Sequence, residues 1–323
     1  MNIQGIGMVS ALGRGIETLE AALENGAVEP ERFDVPFQDE PFPVYAVKKE
    51  ALKDPILRGA RRADRFSKMA TLAAFDAVKN AGVELVPERT GIVLGTAFGP
   101  HPTVFNFLDD ILEFGDAGVS PTLFSHSVHN AAASYISVAL GLRGPATTMT
   151  VFRDPFQQSL QVAQNWLDQG ICDSVLVGGV EECGTVMEYI VSQKLKIAEK
   201  EMVPFFADDA PAVIPGEGAV FFLLSRDSGL VTLTMGENTD SAPDLWVVDF
   251  ESTELPTSAP VGCWSHLIGS SPLSSAVSCA TATLMIQKKK VYSQTNLLET
   301  HVGEPEQIGC IGNNSSPIYL RKQ

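Results

Sequence analysis

The sequence predicts a layered α/β fold with helices on both faces of a sheet. Two observations carry this. Three short, almost wholly apolar runs, Thr90–Gly95, Ser174–Gly179 and Ala219–Leu224, have the character of strands buried on both faces, and they alternate with helical patterns. A second strand–helix–strand unit follows Leu245, an order that fits a diverged duplication into 1–228 and a shorter 229–323 without itself showing one.

Taken in order, residues 1–13 give an apolar strand and a Gly-bounded turn, and 16–25 a helix. Residues 27–60 scatter Phe33, Pro36, Phe37, Pro41, Phe42, Pro43 and Tyr45 without clear period, which predicts an irregular surface excursion. From Arg65 to Ala81, Phe66, Met69, Ala70, Ala73, Ala74, Ala77 and Val78 keep a 3.6-residue period and Gly82 closes the run, predicting an amphipathic helix. Further helices are expected over 104–114, 129–140, 156–169 and 272–288. The last is rich in small residues (Ser274, Ser275, Ala276, Ser278, Ala280, Ala282), as a helix packed closely between other elements would be. Strands are expected at 245–250 and, broken by Gly312-Asn313-Asn314, over 308–320.

Composition narrows the function classes. The 323 residues carry 23 Lys+Arg against 39 Asp+Glu, a net charge of −16. Such a surface repels phosphate backbones and anionic membranes, which argues against nucleic acid and membrane partners. No apolar run approaches the roughly 18 residues a membrane span needs. The N-terminus, Met1 to Gly7, enters structure without a basic, then apolar leader, so a cytoplasmic location is expected. The five cysteines, Cys172, Cys183, Cys263, Cys279 and Cys310, are widely spaced and odd in number, which fits reduced buried thiols; no zinc-type spacing exists, and neither metal nor cofactor is expected. Gly5-Ile6-Gly7-Met8-Val9-Ser10 begins like a dinucleotide fingerprint, but Ser10 replaces the third glycine and no acidic residue follows at the required distance. The Ser and His residues of 125–129 lack the G-x-S-x-G elbow of a hydrolase.

Several stretches instead resemble the β-ketoacyl synthases. Gly5 to Gly13 resembles their opening G-x-G-x-V-S-x-L-G. Arg61-Arg62-Ala63-Asp64-Arg65-Phe66 resembles R-R-x-D-R-F, and Asp173 to Glu182 resembles D-x-x-L-A-G-G-x-E. Pro215 to Ala219, behind Val203-Pro204-Phe205, resembles the G-E-G-A turn, and Trp264 to Ser270 resembles G-H-L-x-G-A. They occur in the order of that family and span nearly the whole chain. The resemblance implies a thiolase-like α-β-α-β-α fold of two related halves, with the C-terminal half shortened.

It also implies a site, from which this chain departs. Gly144-Pro145-Ala146-Thr147-Thr148-Met149-Thr150-Val151-Phe152-Arg153 resembles the strand-to-helix elbow G-P-x-x-T-x-x-T-A-C, and an ungapped count puts Arg153 at the nucleophilic cysteine. A guanidinium stays protonated and forms no thioester. An ion pair with Asp154 or another acid is the expected state of Arg153, with anion binding the alternative. His266 matches one of the two histidines of active members, where a buried, hydrogen-bonded state is expected. The other, from an H-G-T-G-T loop, has no counterpart after Val247-Val248-Asp249-Phe250, where Glu251-Ser252-Thr253 follows. The closing G-F-G-G-T-N loop is Cys310 to Ser315 here. Cys183 follows the Gly178–Glu182 turn, a different element from the elbow, and so does not replace the missing cysteine.

Ser120 to Ala132 resembles the chain length factors that accompany aryl polyene and type II polyketide synthases, although a plain strand and helix cap is the bland reading. The resemblance implies a catalytically silent subunit that pairs with an active ketosynthase and shapes the tunnel for the growing acyl chain. Its tunnel or interface residues would be Phe105, Leu108, Ile111, Leu112, Phe124, His126 and His129. An acyl carrier protein, acidic as a class, would dock mainly on the partner. The rival readings are a malonyl-carrier decarboxylase and a homodimeric acyl-binding scaffold.

Overall fold

The computed structural model describes residues 1–35, 40–207, 209–236, 242–250, 252–293, 302–312 and 316–323. Ten strands make the spine of the molecule. They are β1 (Asn2–Ser10), β2 (Thr90–Thr96), β3 (Ala146–Thr150), β4 (Ser174–Glu181), β5 (Gly218–Ser225), β6 (Val231–Met235), β7 (Leu245–Val248), β8 (Val261–Gly262), β9 (Gln307–Ile311) and β10 (Ile318–Arg321). They join in one mixed sheet, ordered β8-β7-β9-β10-β6-β1-β5-β4-β2-β3, with Gly13–Arg14 paired beside β1 as its eleventh strand.

The sheet is two copies of one pattern. In the first five strands, β1 pairs antiparallel with β5, β5 antiparallel with β4, and β4, β2 and β3 run parallel. In the second five, β6 pairs antiparallel with β10, β10 antiparallel with β9, and β9, β7 and β8 run parallel. The copies meet where Asn2 and Ile3 of β1 face Thr232 and Val231 of β6. The duplication that the sequence only suggested is thus explicit in the strand order.

Helices α1 (Ile16–Asn25), α2 (Arg65–Ala81), α3 (His101–Phe114), α4 (Pro121–His126), α5 (Ala131–Leu140), α6 (Pro155–Asp168), α7 (Thr185–Lys194) and α8 (Ser274–Lys288) complete the architecture. Helix α6 links β3 to β4, and α8 links β8 to β9, the equivalent place in the second copy. Every residue of α8 from Ser274 to Ile286 is buried. Its small side chains allow packing on all faces, as the composition predicted. Among the described residues no helix is long and apolar enough to cross a membrane.

Local chemistry explains the boundaries. The Asp64 carboxylate accepts from the Ser67 N–H at 2.8 Å and caps α2. That helix lies against β1 at the closest range the backbone allows. A Cβ on Gly7 would sit 2.0 Å from the Ala73 carbonyl oxygen and 2.4 Å from the Ala77 nitrogen. The glycines of the opening motif are therefore contact points for a helix rather than a phosphate cradle.

Two expectations are corrected. Residues 27–60 are not a surface excursion: Val35, Phe42, Val44, Tyr45, Ala46 and Val47 are buried, Glu31–Phe33 pairs with Phe42–Val44, and Tyr45 bridges to Gly216. Their apolar residues were read as unpatterned because the segment packs by irregular backbone and short helical turns. Pro36 and Phe37 lie outside the described residues. The stretch 120–132 holds the short helix α4 and the start of α5, not a strand; the Ser120 hydroxyl, with Pro121 at the first turn, starts α4.

Because the backbone of α2 has no room to retreat, Gly7→Ala is expected to cost about 3 kcal/mol or more. A fall in the urea midpoint, with unchanged m-value, would measure it.

Candidate functional site

Strand β3 runs through a tight turn into α6, and the strain of this elbow falls on Asp154. Its backbone is left-handed (φ 52°, ψ 55°), a costly conformation for a residue with a side chain. Pro155 then begins the helix with a preset φ. The Asp154 carboxylate turns inward and accepts a 2.5 Å hydrogen bond from the Ser275 hydroxyl in the first turn of α8. The amino ends of the two equivalent helices thereby meet, and Asp154 Oδ2 stays buried without a partner among the described residues. Arg153 is exposed and, among the described residues, forms no ion pair, contrary to expectation. The elbow turns the neighbouring acid inward and leaves the guanidinium facing water.

Behind the elbow lies a cavity of about 470 Å³. Phe98, Phe152, Met187, Val191 and Phe205 give it apolar walls, and Asp154, Glu181, Glu182, Glu188 and Asp249 give it carboxyl groups; Arg153 stands at its rim. Glu181, at the end of β4, accepts from the Thr96 hydroxyl at 3.1 Å and from the backbone N–H groups of Ala97 and Phe98. Burial outweighs these bonds and pushes its carboxyl up to about 8. Burial, helped by the Asp64 and Glu217 charges, likewise pushes Glu182 up to about 8. Glu188 rises to about 7 through burial, although it accepts from Gly184 N–H at 2.5 Å. His101, at the start of α3, is lowered to about 4 by burial and is neutral at physiological pH.

Cys183 also lines this cavity, close to the elbow in space though distant in sequence. Burial first, then the Glu188 and Glu217 charges, raise its thiol well above the usual range. It stays protonated, the opposite of an activated nucleophile. His266, in the short turn Ser265–Leu267, is half-buried and does not line the cavity; burial lowers its pKa. The Cys263 backbone, which faces the ring, offsets part of that lowering. Just after β7, the strand that leads to where the H-G-T-G-T loop would begin, Asp249 accepts from the Ser278 hydroxyl at 2.8 Å. Glu251, and Asn313, Asn314 and Ser315 of the closing loop, lie outside the described residues.

The residues proposed for a tunnel or interface divide into two groups. Leu108, Leu112 and Phe124 are exposed, Leu112 at 84%, and the Phe124 ring rests on Phe107 at 5.7 Å. Phe105 and Ile111 are half-buried on α3, with the Phe105 ring edge-on to His101 at 6.5 Å. His126 is buried and shares a 2.6 Å hydrogen bond with the Tyr135 hydroxyl. The His129 ring fills the space over Gly99, where a Cβ would sit 2.2 Å from it. Sequence reasoning missed His101, although Pro100 and Pro102 around it mark a helix start, and it missed the inward-facing acids because they are spread over several elements.

The fold and the elbow define a thiolase-like ketosynthase scaffold. Residues 2–229 match the family model described as Beta-ketoacyl synthase, N-terminal domain, and the chain belongs to that family. A 3-oxoacyl-[acyl-carrier-protein] synthase 2 of Staphylococcus aureus is 29% identical over 189 residues, 55% of this chain and 46% of that one. The namesake from Vibrio cholerae is 25% identical over 189 residues, 57% and 46% of the two chains. The chain thus spans about half the length of the curated relatives it matches. Among solved structures, the ishigamide ketosynthase/chain length factor superposes with a TM-score of 0.79 at 16% identity, covering 100% of this chain and 98% of that one. A β-ketoacyl synthase from Burkholderia phymatum STM815 gives 0.78 at 17%, covering 100% and 99%. At these identities the likeness is one of fold.

Glu182 supplies a test of the electrostatics. A carboxyl raised from its ordinary 4.5 to about 8 favours the folded state below 4.5 and loses that contribution as pH climbs to about 8. Glu182→Gln should remove this loss, stabilising the protein relative to wild type by on the order of 2 kcal/mol at pH 8 but little at pH 5. Urea unfolding of both proteins at the two pH values reads the difference.

Proposed function

We propose that this chain is a catalytically silent chain length factor, which pairs with an active ketosynthase and shapes the acyl tunnel of a type II polyketide or aryl polyene pathway. The observation that carries it is the elbow. Where the family motif has Cys-Ala, this chain has an exposed Arg153 and a strained, inward Asp154. Neither residue forms a thioester, and the neighbouring Cys183 thiol is held protonated. Acyl transfer then needs a second subunit.

The surface supports such a partner. Strand β3 lies at the end of the sheet, paired among the described residues only with β2, and its Thr-rich sequence is half-exposed. An open edge strand is a template for another chain. Phe152 in the elbow turn, Phe124 on α4 and Val138 on α5 are exposed at 77%, 60% and 69%. Apolar groups in that number favour a protein interface. The −16 charge repels an acidic acyl carrier protein, so the carrier would dock chiefly on the partner. A decarboxylase needs polarising histidines facing the acyl thioester, and His266 lies off the cavity while His101 is its only lining histidine among the described residues.

Co-expression with a ketosynthase that retains its cysteine and both histidines should yield a one-to-one complex. Phe124→Asp should weaken that complex at least ten-fold, and Leu108→Trp should shift its products to shorter chains. A stable homodimer that ignores every such ketosynthase would support the scaffold reading instead.

A further inference from the structure

The cavity behind the elbow holds an unmet demand for hydrogen bonds. Oδ2 of Asp154 and Oε2 of Glu182 are buried without a partner among the described residues, and for hydrogen bonding the buried His101 ring beside them meets only the Gly99 backbone. An unpartnered buried polar atom is costly, so several around one space are an expensive arrangement. His101 is only 7% exposed. Asp154 is held in a left-handed backbone that is itself strained. Strain and desolvation concentrated at one place are a mark of a site built for a ligand.

The chemistry of the orphaned atoms selects the ligand. Two of the three residues are carboxyl groups, and the third is an imidazole with one lone pair to offer. The remaining carboxyl groups are served otherwise: Glu181 by Thr96, Ala97 and Phe98, Glu188 by Gly184, and Asp249 by Ser278. Arg153 is the single cationic side chain among the described lining residues, and it is exposed at the rim, where water screens it. An anion inside would meet no buried cationic side chain among the described lining residues. Among the described residues no cluster could hold a metal ion. The far walls, Phe98, Phe152, Met187 and Val191, are apolar.

We propose that this cavity binds, non-covalently, a small amphipathic primary amine, its ammonium group donating to Asp154, Glu182 and His101 and its apolar body lying against Phe98, Phe152, Met187 and Val191. This needs no partner subunit and goes beyond the chain-length role. Binding is coupled to a proton. Glu182 lines the cavity, and burial with the Asp64 and Glu217 charges, opposed by Arg65 and the Phe66 backbone, raises it to about 8, so it is mostly protonated at pH 7 and must ionise to pair with an ammonium ion.

The test is calorimetric titration of the purified full chain at pH 7 with n-hexylamine, hexanoate and hexanol as probes. Hexylamine is expected to bind one per chain, at least ten-fold tighter than either of the others. Its enthalpy should vary with the buffer's ionisation enthalpy in the sense of proton release. Asp154→Asn and Glu182→Gln should each weaken it ten-fold or more, and Glu182→Gln should abolish the proton release. Absence of hexylamine binding, hexanoate binding as well or better, or equal binding of hexanol would each overturn the proposal. The wild-type comparison decides even where a variant fails to fold. Failure to pair with any ketosynthase, with hexylamine still bound, would remove only the chain-length reading.

Discussion

The Arg65–Glu217 ion pair is the joint on which the site depends. Glu217 is 2% exposed, and four donors from three segments converge on it. Arg65 supplies Nε and Nη2, while the backbone N–H groups of Val47 and Cys183 donate at 2.7 and 3.1 Å. Arg65 also donates to the Val47 carbonyl. One carboxylate therefore ties the start of α2, the inward chain after Tyr45, the end of β4 and the turn into β5. Breaking a buried pair from one side leaves an uncompensated charge and typically costs about 3–5 kcal/mol. Here it would also release the segment carrying Glu182 and Cys183, one wall of the cavity. Two motifs distant in sequence, around Arg65 and around Glu217, thus describe a single interaction.

The elements were legible where physics is local or symmetric. Helix α2 showed its period in its large and small apolar residues although 69–74 are buried all round, and β2, β4 and β5 showed as solid apolar runs because both their faces are buried. Strand β3 was hidden because Ala-Thr-Thr-Met-Thr at an exposed edge has neither alternation nor a solid apolar run. Residues 27–60 misled because irregular backbone buries apolar groups without a period. The equivalence of the two five-strand sets resides in pairing, which no stretch of sequence carries alone.

The site was legible as an anomaly and no further. Counting from Gly144 located the elbow, but which residue faces inward depends on the backbone dihedrals of one turn: Asp154 takes the strained place and Arg153 the outward one. His101, Glu182 and Glu188 come from the starts and ends of separate elements, and only the fold assembles them. Together they make the cavity hydrogen-bonding and acidic rather than nucleophilic. The same burial that raises the carboxyls keeps Cys183 protonated. A thioester site requires the reverse, a stabilised thiolate beside donors for a developing oxyanion.

That contrast is open to direct measurement. Intact-mass spectrometry of the purified chain, after incubation with an acyl-carrier-protein thioester, reads whether any residue accepts the acyl group. The account predicts an unchanged mass at every time point. A mass increase of one acyl group per chain would contradict it.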